Sequence, residues 1–100
     1  MKILRHPDEW ARGAIGLPNT DLDKGLLFDL PKAAPWPVSM DGVDFALDVY
    51  WLNEGGMVLD HAELFPGMPT FWPDCSARYV LELLMADTPM YKIGDFVELP

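Results

Sequence analysis

The residues best suited to chemistry are those of Asp60-His61-Ala62-Glu63. On an extended strand His61 and Glu63 project from one face, and Asp48 is placed to meet them across a hairpin. Those three residue types are divalent-metal ligands. A metal site needs three or four such ligands converging, held by outer hydrogen bonds. The chain has two histidines, and His6 is distant in sequence. A solvated strand face is the simpler account, so no metal or other cofactor is expected, with Asp48, His61 and Glu63 the candidates if one binds.

Nucleophilic chemistry has less support. Cys75 follows Pro73-Asp74, without the basic neighbours that lower a thiol pKa. Ser39 and Ser76 stand outside any nucleophile-elbow pattern. Gly55-Gly56 reads as a hairpin turn, not a phosphate loop. Paired carboxyls are expected by chance in so acidic a chain, and a glycosidase-like pair needs a defined separation that sequence does not give. The chain is therefore expected not to be an enzyme.

The aromatic residues in proline-rich segments carry more information. Trp36 lies between Pro35 and Pro37, and Phe71-Trp72 between Pro69 and Pro73. Large rings on extended connections either cap the open ends of a small β domain or anchor a partner, since aromatic residues dominate interface hot spots. Trp36, Phe71 and Trp72 are thus the candidate partner-binding residues. Rings beside acids could also stack on sugars.

The elements that would position these groups are short. Ten prolines and eight glycines punctuate the hundred residues, which favours strands and turns over long helices. Pro7 to Gly13 predicts a short helix, with proline and two acids in its first turn and Gly13 or Gly16 ending it. A polar loop is expected over 17–24, then a buried strand at Gly25 to Phe28. The stretch Leu30 to Pro37 reads as an extended connection or an edge, and Val38 to Met40 as a short strand.

The clearest pattern runs from Asp44 to Leu52. Phe45, Leu47, Val49 and Trp51 alternate with Asp44, Ala46, Asp48 and Tyr50, the mark of a half-buried strand. Asn53-Glu54-Gly55-Gly56 supplies the turn, and Met57 to Phe65 the returning strand. Arg78 to Leu84 is a further strand with Tyr79, Leu81 and Leu83 on one face, and Phe96 to Leu99 a last one. The expected fold is one mainly β domain over 1–100, a small antiparallel barrel or sandwich with a short N-terminal helix.

Composition limits the partners. Sixteen acidic against seven scattered basic residues give a formal charge of −9. That field repels nucleic acid and anionic membrane surfaces. The single cysteine excludes an internal disulfide. The start is poor in apolar residues for a signal peptide, and no run reaches the length of a membrane span. A cytoplasmic protein is expected, or a virion protein if virus-encoded.

The segments Ala11-Arg12-Gly13-Ala14-Ile15, Gly25-Leu26-Leu27-Phe28, Ala46-Leu47-Asp48, Ala77-Arg78-Tyr79-Val80-Leu81-Glu82-Leu83 and Ile93-Gly94-Asp95 occur in that order. In order and content they resemble the prokaryotic family called domain of unknown function 192. The resemblance covers about Trp10 to Leu99, and the Ala77–Leu83 strand is its most specific part. Two features depart from it. Ser39-Met40-Asp41-Gly42-Val43 stands where the family has Trp-Met-Lys-Asn-Thr, and the family's strand before the helix is nearly absent. The resemblance implies a compact, largely antiparallel β fold and no particular activity.

Taken together, these features favour a non-catalytic structural or interaction module that docks on a larger protein assembly, a capsid-decorating or other virion accessory protein being one form. The alternative is a small-molecule or metal-binding domain.

Overall fold

The structure, a computed structural model, describes residues 1–15 and 24–100. Among them are five strands and one helix: β1 (Lys2–Leu4), α1 (Pro7–Arg12), β2 (Leu26–Ala34), β3 (Leu47–Leu52), β4 (Val58–Leu64) and β5 (Ala77–Leu84). The fold is mainly β, as expected. The strands form one sheet in the order β1-β2-β5-β3-β4. β1 lies parallel to β2, and every other pairing is antiparallel. The edges β1 and β4 do not pair, so no barrel closes; the open sheet, covered on both faces, is sandwich-like.

The expected helix is present. Pro7 opens it, and Oε1 of Glu9 accepts the otherwise unpaired backbone N–H groups of Arg5 and His6 at 3.0 and 3.1 Å. Gly13 ends it at φ +49°, where a Cβ would lie 3.3 Å from Cζ of Phe28, so the helix end rests on the sheet. The strand that the sequence all but lacks upstream of this helix does form, as the three residues of β1.

The β3–β4 hairpin follows the alternation and the turn chemistry. Oδ1 of Asn53 accepts the N–H groups of Gly55 and Met57 at 3.0 and 2.9 Å. Gly56, at φ +90°, has no room for a Cβ, which would sit 2.5 Å from the Val97 carbonyl oxygen. A register shift then places Trp51 opposite Asp60 but Leu52 opposite Val58. One extra residue in β4 therefore lets Val58 and His61 share a face.

Three expectations change. β3 is buried on both faces rather than one, because the chain beyond β5 returns over the Tyr50 side. β2 continues through Pro31 to Ala34, its register shifting between Asp29 and Ala34 where proline offers no N–H. Val38 to Met40 and Phe96 to Leu99 form only single bridges, Val38 to Phe71 and Met57 to Phe96. The loop expected over 17–24 lies, apart from Lys24, outside the described residues.

The alternation of side chains gives two cores. Leu26, Phe28, Val49, Trp51 and Val80 pack on one face beneath α1, Trp36 and Val43. Leu27, Tyr50, Leu52, Leu81 and Leu83 pack on the other beneath Tyr91, Val97 and Leu99.

Candidate functional site

On the helix-covered face, α1 and the Trp36–Val43 segment stand off the sheet and leave a cavity of about 430 Å³. Its floor is Phe28 and Leu30 of β2 with Val80 and Glu82 of β5. Its walls include Trp10, Ile15, Trp36, Val38 and Val43, and Arg12, Ser39 and Asp41 stand exposed around it.

Glu82 is the unusual member. It lies on the central strand between Leu26 and Val49 and is 4% exposed. No hydrogen bond reaches its carboxyl among the described residues. Burial alone lifts its pKa to about 7, from 4.5. An apolar environment disfavours the charged form, and among the described residues no cation offsets that cost.

The surrounding donors are engaged elsewhere. The Trp10 indole N–H donates to the Leu4 carbonyl at 2.8 Å, and that of Trp36 to the Lys32 carbonyl at 2.9 Å. The backbone N–H groups of Gly13, Ile15, Val38 and Val43 all donate to carbonyls. Apart from Glu82, the buried side chains of the described lining are aromatic and aliphatic.

The residues singled out as metal candidates come together on the opposite face, as the strand alternation requires. Nε2–H of His61 donates to Oδ1 of Asp48 at 2.9 Å, and the Ala86 N–H donates to Oδ2 at 3.3 Å. Glu63 is directly across from Asp48 but exposed. Asp48 is 2% exposed, so its face is covered rather than solvated. The His61 ring stacks on Tyr50 at 4.6 Å, and Tyr91 meets Tyr50 edge-on at 5.4 Å. Burial, chiefly, raises the Tyr50 pKa above its ordinary value. Among the described residues no three histidines, cysteines or acids converge as a metal-ligand set.

The partner-binding candidates separate. Trp36 is half-buried against the core, and its carbonyl accepts the Trp51 indole N–H at 2.9 Å. Phe71 is half-buried too, 5.3 Å from the Trp51 ring. Trp72 is 64% exposed. Cys75 is partly buried in the core, and burial, then Asp60 and Asp74, push its thiol pKa up, away from nucleophilic use.

The sequence reading passed over Glu82. The alternation drew attention to Tyr79, Leu81 and Leu83 on one face, and Glu82 belongs to the other. A signal was present: Val80 to Leu84 is apolar except for Glu82, and an unbroken apolar run marks a strand buried on both sides.

Comparison with known proteins fits the fold. A Novosphingobium aromaticivorans DSM 12444 protein of unknown function has a similar crystal structure, with a TM-score of 0.82 at 19% identity over 97% of this chain and 72% of that one. A Sinorhizobium meliloti 1021 protein, provisionally described as a transcription regulator, is similar with a TM-score of 0.74 at 20% identity. That match covers 82% of this chain, which spans 65% of the length of the Sinorhizobium protein. No curated protein matches. The family model for domain of unknown function 192, described as "Uncharacterized ACR", matches residues 1–97, and the chain belongs to that family.

Proposed function

We propose that the protein is a non-catalytic small-molecule-binding domain whose site is the cavity over Glu82. The observation that carries this reading is a buried acid, without a hydrogen-bond partner among the described residues, facing a cavity of about 430 Å³. Buried polar groups are normally paired within the fold, and an acid that borders a cavity and meets no partner among the described residues is a place for a ligand's polar group. The volume is within the range of about 300–1,000 Å³ that small-molecule sites occupy. No hydroxyl or thiol hydrogen-bonds to His61 among the described residues, which supports binding over nucleophilic catalysis. Nor is any helix among those residues long and apolar enough to cross a membrane.

Thermal-shift screening of the full chain against a metabolite library tests this. A ligand at ten times its Kd adds about 1.4 kcal/mol, which raises Tm by several degrees in a domain of this size. The shift should vanish in Ala11→Trp, which adds an indole at an exposed helix position lining the cavity. A screen without hits, or hits that persist in this variant, would remove the reading.

A second reading, docking on a protein assembly, is favoured by the exposure of Trp72 on a proline-rich loop. An affinity capture that Trp72→Ala leaves unchanged would exclude that residue as the anchor.

A further inference from the structure

We infer that the Glu82 cavity takes an organic amine, an ammonium group on an apolar or aromatic body. This rests on the ligand-binding reading above and names the ligand class.

The donor and acceptor inventory of the wall selects the polar end. An anion placed against the floor would meet the Glu82 carboxyl, and among the described residues the indole and backbone N–H groups noted above are already used. Arg12 is exposed, as is Asp41, so neither changes the chemistry of the floor. A neutral hydroxyl could bond to Glu82 but would leave the buried charge uncompensated. An ammonium supplies both N–H donors and the opposite charge, and such charge-assisted bonds are about twice as strong as neutral ones. Trp10, Phe28 and Trp36 line the same space, and the faces of aromatic rings attract cations. The formal charge of −9 draws cations towards the surface and repels anions.

The size of the cavity selects the rest of the ligand. About 430 Å³ is far more than one ammonium fills, and the remaining lining is largely carbon. A bare metal ion would find one carboxyl where several oxygen donors are needed. An amine carrying a phenyl, indole or short alkyl body satisfies Glu82 and covers the apolar wall together.

Binding is then tied to the Glu82 proton. With its pKa near 7, the acid is ionised above that pH and protonated below it. An ammonium binds the ionised form, so affinity should rise with pH, level off near pH 8, and fall about tenfold per unit well below 7. Below pH 7 each amine bound releases one proton from Glu82.

Calorimetric titration of the full chain tests this with phenethyl, indolylethyl and hexyl bodies, each ending in an amine, a hydroxyl or a carboxylate. The expected result is an amine that binds at least tenfold tighter than its matched alcohol at pH 8. That preference should shrink at pH 6 and disappear in Glu82→Gln, whose fold is checked by circular dichroism. Equal binding of amine and alcohol, tighter binding of the carboxylate, or an amine preference that survives in Glu82→Gln would overturn the inference. So would silence of every amine while library metabolites still bind in an Ala11→Trp-sensitive way, and that outcome leaves the ligand-binding reading standing. Silence of the amines and the library together overturns both.

Discussion

Asp48 and Glu82 lie on neighbouring strands, β3 and β5, and point to opposite faces of one sheet. Both are almost fully buried. Asp48 accepts from His61 at one oxygen and from the Ala86 backbone at the other, so its two sides are held. Glu82 borders a cavity and accepts no hydrogen bond among the described residues. Burial alone does not distinguish a structural acid from a candidate site; the completeness of its hydrogen bonding does. The difference follows from what covers each face. On the Asp48 side, the returning chain places Ala86 and Tyr91 directly over the sheet. On the Glu82 side, α1 and the Trp36–Val43 segment stand further off.

The sharpest break of this comparison removes each acid in turn, and opposite signs are expected. Asp48→Ala leaves the His61 ring and the Ala86 N–H without their partner and should cost about 3 kcal/mol at pH 7, measured by urea denaturation. Glu82→Gln should stabilise instead. The folded state holds the Glu82 proton more tightly than the unfolded chain, with a pKa of about 7 against 4.5. The resulting stability is fully present below about pH 4.5 and is lost as the pH rises through about 7. Glutamine removes that dependence, so the variant should gain about 3 kcal/mol on the wild type between pH 4 and pH 8. Denaturation curves at the two pH values measure the gain, and a variant that loses stability at pH 8 would show that Glu82 is held like Asp48.

How far the sequence disclosed this contrast depends on the range of the interactions involved. Asp48 facing His61 and Glu63 was readable because all three belong to one hairpin, where turn and alternation set the register. The family likeness was readable because its segments keep their order along the chain. Burial of the Asp48 face was not readable, since it depends on residues after β5 returning beside Gly56 and Val58. The cavity was hidden for the same reason. Its lining joins α1, β2, the Trp36–Val43 segment and β5, which only the tertiary fold brings together. Phe71 could not be told from Trp72 by composition, because both are large rings on one proline-rich loop.

Two smaller effects refine the comparison. Tyr50 is completely buried between His61 and Tyr91, and its hydroxyl receives a long contact, 3.5 Å from the Tyr91 N–H. Tyr50→Phe should therefore cost less than about 1 kcal/mol at neutral pH. Its clearer signature lies at alkaline pH. With the Tyr50 pKa raised above 10, the stability it contributes is present below that pH and lost as the pH rises through the folded value. Removing the hydroxyl should eliminate the last tyrosine to ionise in a phenolate absorbance titration; an unchanged titration would mean that Tyr50 is not the late group.

Trp72 is the smallest case and separates folding from recognition most cleanly. Its neighbour Phe71 exchanges two backbone hydrogen bonds with Val38 and packs on Trp51, so any change there disturbs the roof of the helix-covered core. Trp72 is outside that arrangement, with 64% of its surface in solvent. Substitutions at such exposed positions usually alter stability by no more than about 0.5 kcal/mol, and Trp72→Ala should stay within that range in urea denaturation. A larger loss would make Trp72 part of the fold and end its candidacy as a free anchor. Unchanged stability with weakened capture of a protein partner would instead assign the exposed loop to recognition, physically separate from the Glu82 cavity.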